Sequence, residues 1–490
     1  MSASIPKERI VVPGLTEDEQ QTLDVLLEQL NGKLDKNLLR TAYYDGKRAL
    51  RQMTSVVPPQ YNNLGIVLGW SAKGVDLLAR RCNLVGFEWA DGDLDSLGYV
   101  DVWQGNKLGT EANQGITEAL VQSTAFVVTT AGDTDDGEPD SLIQFLDATQ
   151  ATGTWNARAR RLDNFLAITS RDDDARPDGL ALYLDGLTIT CDREDGAWKV
   201  TDRQEHDYGV PVDPMPYKPR LRRPFGSSRI SRPSRGIQDQ AVRELVRLEG
   251  HMDVYSFPEF WLLGADAAVF KNQDGSLKAP WQVMLGRLKA IPDDDEAPDN
   301  LARADVKQFS AASPEPHLAA LNAFAKLYAR EQSLPDTALA ITDVSNPTSA
   351  ESYDASQYEL IAEAEGVTDD FSPALRKAML RALAMKNGEP EIPDAWRTIA
   401  AKWRDPRFLS RSAEADAGMK QIQSVPWLAE TEVGLELLGL TPQQRSAALA
   451  EKQRARSQQM LASLQGNLSR EQRTALGAPV EEATAGGDAG

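Results

Sequence analysis

From Tyr217 to Tyr358 the chain runs in one fixed order: a basic lead-in, a helix with an apolar seam, an aromatic and acidic insert, a second helix, and a capped third helix. This order constrains the fold more than any single motif, because it sets two rods on either side of one insert. After Ser234, read as an N-cap, the span to Tyr255 places Ala241, Leu245, Leu248, Met252 and Tyr255 at alternating spacings of four and three, a heptad seam. About 20 residues rising about 1.5 Å each give a rod of about 30 Å, with Arg243, Glu244, Arg247 and Glu249 on its other faces. A single coiled-coil pair or an ordinary core helix carries the same pattern. Ser313, Pro314 and Pro316 open the second helix, where Leu318, Leu321, Phe324, Ala325 and Tyr328 form the apolar stripe.

The insert holds three strand-like runs, FPEFWLLGAD, WQVMLGRLKAIP and ARADVKQFS, separated by Asn272 to Gly275 and by the acidic turn Asp293-Asp294-Asp295-Glu296. Phe257, Phe260 and Trp261 are read as core or interface rather than as a ligand site. The acidic turn lacks the alternating ligands and glycine of an EF-hand and is read as a solvated loop. Leu334 to Ser349 is polar and bounded by prolines, and Thr348 with Glu351 makes a capping box that predicts a helix to about Ala364. The intervening loop is thereby tethered at both ends. It holds no Lys or Arg, so any contact it makes is steric or polar rather than ionic.

A chain of 490 residues is too long for one hydrophobic core and predicts about three modules. Residues 15 to 57 read as helices: Leu23, Leu26, Leu27 and Leu30 share a face, Thr16 caps, and Glu17, Asp18 and Glu19 complement the dipole, until Pro58 and Pro59. A helical pattern from Asn62 to Arg81 leads into a strand at Leu84, Val85 and Phe87. Residues 121 to 205 read as a strand meander, with Asp195-Gly196 as a hairpin turn because type I′ turns need positive φ. Further on, Phe371 to Lys386 is amphipathic. Trp396, Trp403 and Arg404-Asp405-Pro406 then lead to helices at Arg411 to Gln423 and Thr431 to Leu438. Two similar runs, LTPQQRSAAL and LSREQRTAL, each open on a capping hydroxyl, and the tail GAPVEEATAGGDAG is expected to be disordered.

The net charge of −20 argues against a surface that coats nucleic acid, so any contact with DNA must be local. Against that background Lys218, Arg220, Arg222, Arg223, Arg229, Arg232 and Arg235 form a basic patch, with no acidic residue between Asp213 and Asp239. Two readings stay open. The patch neutralises phosphates through counterion release, or it pairs with acidic surface on a neighbouring subunit.

Enzyme chemistry finds little support. Gly32-Lys33 is followed by Leu34 and Gly46-Lys47 by Arg48, so neither is a phosphate loop. No Gly-x-Ser-x-Gly elbow occurs. His206, His251 and His317 sit in different elements without metal-ligand spacing, and no metal or cofactor is expected. Cys82 and Cys191 lie far apart, which suggests neither a disulfide framework nor a thiolate site and fits a reducing compartment. No run approaches the roughly 18 apolar residues that span a bilayer, and the start MSASIPKERIVVPG lacks a signal peptide's apolar core. The chain is expected to be cytosolic when made, with no membrane partner.

The runs PFGSSRISRPSRGIQDQAVRELVRLEGHMDVYSFPEFWLLGAD, HLAALNAFAKLYAREQSLPDTALAITDVSNPTSAESYDASQYELIAEAE and NNLGIVLGWSAKGVDLLARRCNLVGFEW, with LELLGLTPQQR near the end, resemble the portal proteins of tailed phages, in their actinophage branch. The resemblance implies an α+β, mainly helical portal fold with α/β wing and clip, two long stem helices and a helical crown, the subunits forming a ring. The divisions it implies are the first part of the wing at 1–226, a first stem helix at 227–256 and a clip at 257–313, followed by a second stem helix at 314–332. A tunnel loop at 333–349, the second part of the wing at 350–405, the crown at 406–476 and a disordered tail at 477–490 complete it. Asp343, Ser345, Asn346 and Thr348 would then lie nearest the channel axis. Arg235-Gly236 departs from the expected pattern, since a Gly so early loosens the first helical turn by up to about 1 kcal/mol relative to Ala.

The function this resemblance implies is a homo-oligomeric ring, a dodecamer, at the unique capsid vertex. There it would pass double-stranded DNA in packaging and ejection and dock the terminase large subunit and the head-tail adaptor. Major capsid and scaffolding proteins would be further partners, and the location would be the virion after assembly in the host cytoplasm. Two other readings stand beside it: a metal-dependent DNA-processing enzyme of the packaging complex, and a cytosolic helical scaffold with no DNA role.

Overall fold

The computed structural model describes residues 9–47, 65–135, 137–255, 260–263, 276, 288–291, 305–308, 312–339, 356–407 and 411–467. They belong to two compact units, 1–406 and 407–490. In the first unit, helix α1 (Glu17–Tyr44) is followed by α2 (Trp70–Ala79), strand β1 (Leu84–Trp89), and helices α3 (Tyr99–Gly105) and α4 (Leu108–Gln122). Strands β2 (Thr124–Ala131), β3 (Ser141–Asp147), β4 (Ala151–Asn156), β5 (Arg161–Arg171), β6 (Pro177–Leu184), β7 (Leu187–Glu194), β8 (Ala197–Glu205) and β9 (Val212–Pro216) come next. Then come α5 (Arg232–Tyr255), the short strands β10 (Phe260–Leu263), β11 (Leu288–Ile291) and β12 (Asp305–Gln308), helices α6 (Glu315–Glu331) and α7 (Tyr358–Lys386), and β13 (Ile399–Trp403).

Helix α1 starts at a full capping box between Thr16 and Glu19 and buries Leu23, Leu26, Leu27, Leu30 and Leu34 along one face. That stripe lies on an antiparallel sheet of order β4-β5-β6-β7-β8, against Leu166, Ile168, Leu180, Leu182 and Ile189. Because side chains alternate along a strand, the intervening Phe165, Ala167, Ala181 and Tyr183 point to the opposite face. There they meet Phe126, Val128 and Val212 of a second sheet, ordered β3-β2-β9. The far side of β2 packs through Ala125 and Val127 on α4 and α7. At the hairpin tip Asp195 and Gly196 both take positive φ, 49° and 83°, as the turn reading requires.

Two distant stretches close this unit. Strand β1 pairs antiparallel with β13, so residues beyond the third long helix return to the first hundred. Buried Arg381 of α7 pairs with buried Asp213 of β9. The described residues from α5 to the end of α6 therefore lie between two stretches of one body. Among them α5 and α6 run antiparallel: Ser231 donates to Glu331 (3.2 Å), His317 Nδ1 meets Glu244 Oε1 (2.6 Å), and His251 Nε2 meets the Ala312 carbonyl (2.9 Å). The strands β10, β11 and β12 form a small sheet of order β11-β10-β12, one from each strand-like run of the insert.

The structure corrects the reading of the third helix. The pattern to Ala364 and the pattern from Phe371 belong to one helix, α7, which passes through Pro373. Its buried residues Leu360, Ala364, Val367, Phe371, Ala374, Leu375 and Ala378 continue the same face across the proline, and that packing outweighs one lost backbone hydrogen bond. In the second unit, α8 (Arg411–Ser424) and α9 (Glu432–Leu437) follow the expected helices closely, and α10 (Pro442–Asn467) opens in the LTPQQRSAAL run and continues as one helix beyond it. The hydroxyls of Thr431 and Thr441 cap the latter two. The Gly418 backbone approaches Leu437 so closely that a Cβ would stand 2.0 Å from its carbonyl oxygen.

Phe371 is wholly buried where α7 meets the β2 sheet, whereas Met252 on α5 is 50% exposed. Phe371→Ala is expected to cost about 3–5 kcal/mol, and Met252→Ala less than about 0.5 kcal/mol, both read from the shift of the urea unfolding midpoint.

Candidate functional site

The linker from Tyr217 to Ser231 is stitched into the first unit rather than hung from it. Tyr217 donates its amide to the Ser123 carbonyl, Ser228 donates its hydroxyl to the Val121 carbonyl, and the Arg229 amide bonds to the Leu120 carbonyl, all at the end of α4. Arg220 and Arg223 exchange backbone hydrogen bonds of 3.1 and 2.7 Å, forming a tight turn that leaves Leu221 and Arg222 at its tip. Gly226 closes the loop with φ of 68°, and a Cβ there would stand 2.2 Å from the Tyr217 carbonyl. No side chain fits that space.

Arg229 was expected in the basic patch, and the structure removes it. Its side chain is 2% exposed and spends its donors inward. Nε donates to the Gly74 carbonyl of α2 (2.7 Å), Nη2 to the Gln332 carbonyl at the end of α6 (2.6 Å), and Nη1 to Tyr217 Oη (3.1 Å) and Glu363 Oε1 of α7 (2.6 Å). Gln332 answers by donating to the Arg229 carbonyl (3.1 Å). Lys218 also reaches Glu363 (2.6 Å), and Tyr217 donates its hydroxyl to the same oxygen. The patch thus has a counter-charge, Glu363, supplied from far along the chain. Burial pushes the Glu363 carboxyl up, but Arg229, Lys218 and the Tyr217 hydrogen bond outweigh it and hold it below the usual carboxylate range.

The other cations stay outside and gain company. Helix α1 contributes Lys33, Lys36 and Arg40 to a cleft of about 340 Å³ that Arg222 and Arg223 also line, floored by Phe225 and Phe126 and without any acidic side chain. Lys33 lies over the Phe225 ring, and Arg235 over the Tyr43 ring. Arg40 is anchored by hydrogen bonds to the Gln122 carbonyl and Asn37. Burial, then Arg235 and Arg223, lower it to about 10, and Arg40 first and then burial depress Lys36. Arg220 and Arg232 are exposed. The α1 cations were missed, although their spacings of three and four put them on the same face over about two helical turns and the acids of α1 all but one precede them.

The expected stem residues divide. Ala241, Leu321 and Tyr328 are buried, with Tyr328 against Trp70 of α2 at 5.5 Å between ring centroids. Leu245 and Leu248 are half-buried, while Met252 and Leu318 are exposed. Val242 and Val246, outside the heptad seam, are buried. Of the clip aromatics, Phe260 and Trp261 lie on β10, and Phe257 lies outside the described residues. So do the tunnel-loop residues Asp343, Ser345, Asn346 and Thr348, and the side chain of Tyr255. His251 and His317, read as unrelated, are neighbours with ring centroids 5.0 Å apart. Among the described residues no three His, Cys, Asp or Glu side chains are grouped to hold a metal ion, and no helix is long and apolar enough to cross a membrane.

Removing Arg229 alone leaves a buried carboxylate with one exposed lysine, so Arg229→Met is expected to cost about 3–5 kcal/mol, with part recovered in Arg229→Met with Glu363→Leu. Because the folded-state pKa of Glu363 lies below its usual 4.5, its stabilisation is present above about pH 4.5 and is lost as pH falls through the depressed value. Glu363→Gln should flatten the acid limb of the stability–pH curve measured by thermal melting.

The chain matches the family model described as phage portal protein, SPP1 Gp6-like, over residues 23–459. It is 28% identical over 428 residues to the portal protein of Mycobacterium phage D29, and equally to that of Mycobacterium phage L5, covering 86% of this chain and 84% of each relative. Among solved structures, a chain from the neck of an empty gene transfer agent particle aligns at 14% identity and a TM-score of 0.40, covering 83% of this chain and 99% of that one. The family match takes in α1 from Leu23 onward, the three β-sheets of the body, the basic linker and the antiparallel helix pair. The chain belongs to the phage portal protein family of the SPP1 Gp6-like type.

Proposed function

We propose that copies of this chain close into a ring at the capsid vertex, forming the channel through which double-stranded DNA is packaged and ejected. The observation that carries the reading, beside the family, is the antiparallel pair α5 and α6. It leaves Leu318, Leu327 and Met252 exposed and Leu245 and Leu248 half-covered along a paired rod. One copy cannot cover that apolar strip, and a neighbouring pair can. A heterologous contact of this kind repeats until it closes under cyclic symmetry.

In this reading the pair is the stem, and the insert carrying β10, β11 and β12 is the clip that docks the terminase large subunit and the head-tail adaptor. The loop holding Asp343, Ser345, Asn346 and Thr348 borders the channel axis, and 407–467 lies in the crown. The ring is a dodecamer that assembles in the host cytoplasm with scaffolding and major capsid proteins. The role is mechanical, and nucleotide hydrolysis belongs to the packaging motor. The charge of −20 suits a wall from which DNA slides freely.

Mass determination in solution with negative-stain imaging at modest salt tests the ring. A closed ring of about a dozen copies with a central hole is expected. A monomer or dimer that persists with scaffolding and capsid protein present would count against it. Leu245→Glu with Met252→Glu should leave the subunit's melting temperature nearly unchanged and abolish the rings, since both side chains are more exposed within one copy than a core position allows.

A further inference from the structure

Helix α1 is polarised by charge, and the sheet beneath it turns that polarity into two opposite surfaces. At its start Glu17 and Asp18 are exposed, and Glu19 pairs with Arg203 of β8. Further along, Gln29 donates to Thr152 and Gly153 of β4, and Asn37 donates to the Ala148 carbonyl. The helix therefore crosses the sheet from the β8 edge to the β4 edge, where Lys33, Lys36 and Arg40 meet Arg222 and Arg223 in the acid-free cleft. The register is continuous between the two edges: Ala151, which lines the cleft, pairs with Ala167, then Ala181, then Thr190, and finally Asp202. Four strand spacings separate the edges by about 19 Å.

The β8 edge is acidic where the β4 edge is basic. Asp202, Glu205, Glu17 and Asp18 are all exposed, and no ion pair is recorded for them among the described residues. The basic residues of that edge are already neutralised, Lys199 by Glu194 and Arg203 by Glu19. A ring of many copies needs two different patches facing nearly opposite ways on each subunit. The two charged edges have that arrangement.

We propose that the acidic β8 edge of one copy, with the start of its α1, docks on the cationic cleft of the next copy and sets the head-to-tail register of the ring. This rests on the ring reading above. The partner is a protein surface rather than a DNA duplex because Leu221 stands fully exposed between Arg220 and Arg222, beside a hollow lined by Trp155, Pro216 and Pro219. A phosphate backbone gains nothing from an exposed leucine, whereas arginine, aromatic and aliphatic side chains together are the make-up of a protein interface core. The cleft is also recessed, with Arg40 pinned at its base, and accepts a carboxylate side chain more readily than a broad cylinder.

Charge reversal in pairs tests the register. Lys33→Glu, Lys36→Glu and Arg222→Glu together leave the cleft with three acids against Arg40 and Arg223, so that both edges are acidic, and Glu17→Lys, Asp202→Lys and Glu205→Lys together leave the β8 edge with three cations against Asp18, so that both are basic. Melting temperature checks that each folds, and mass photometry follows ring formation with protein concentration. Each variant alone should need about tenfold or more protein for half-assembly, because like charges then face each other. Mixed in equal amounts, the two should assemble as readily as the unaltered chain, into rings with an even number of copies. If each variant assembles alone as the unaltered chain does, the docking proposal is overturned while the ring stands. If the unaltered chain forms no ring, the ring reading itself fails. A cleft variant that assembles normally but loses salt-dependent retention of a short DNA duplex would make the cleft a phosphate site and overturn the proposal.

Discussion

The buried guanidinium of Arg229 is the interaction on which the arrangement of the body and its helical excursion depends. It joins α2, the linker, the end of α6 and the start of α7, and three of its four acceptors lie more than 100 residues away in sequence. An isolated buried cation would be intolerable in a low dielectric, so Glu363 must come with it. Such a pair is a weak source of net stability, since desolvation offsets most of the attraction. Its value lies in geometry, because a planar fork with four of its five donors used admits one arrangement of the surrounding elements. The base of the helix pair is thereby held at one angle to the body.

Rigidity at that junction and adhesiveness beyond it are complementary. Where α6 enters the body, Tyr328 and Ala329 are wholly buried, and Trp70 packs on the tyrosine ring. The same helix exposes Leu318 and, beside Tyr328 in sequence, Leu327. A rod anchored at one end and apolar at its sides is suited to packing against copies of itself. The body's own sides carry opposite charge at opposite sheet edges, so apolar and electrostatic complementarity favour the same head-to-tail association. On the docking proposed above, the acidic excess of the chain and its local basic cleft share one explanation, a surface that repels a polyanion with cations turned to protein.

Much of the fold was legible in the sequence because it rests on local periodicity. The leucines of α1, the Thr16 box, the Asp195-Gly196 turn and the alternation of the meander each act within a few residues, where helix and strand geometry settle which side chains share a face. The two rods and the three strand-like runs between them were legible for the same reason. The continuous α7 was not, because Pro373 is a local break signal, and only burial of the face on both sides of it carries the helix through. The heptad seam on α5 was read as one packed face, yet Val242 and Val246 beside it are buried within one copy while Met252 of the seam is exposed.

The candidate site shows the same division more sharply. Composition and order within the chain alone located the cations of 218–235 and their lack of neighbouring acids, and with them the helix, insert, helix order. Which of those cations are free was decided by tertiary structure. Arg229 turned inward to a carboxylate 134 residues away, while Lys33, Lys36 and Arg40 came from nearly two hundred residues upstream to join the others. The physical reason is range. Helix, turn and strand preferences act through bonds and neighbours a turn apart, whereas the pairing and desolvation of a charge depend on whatever the packed core brings to it, and no spacing along the chain encodes that partner.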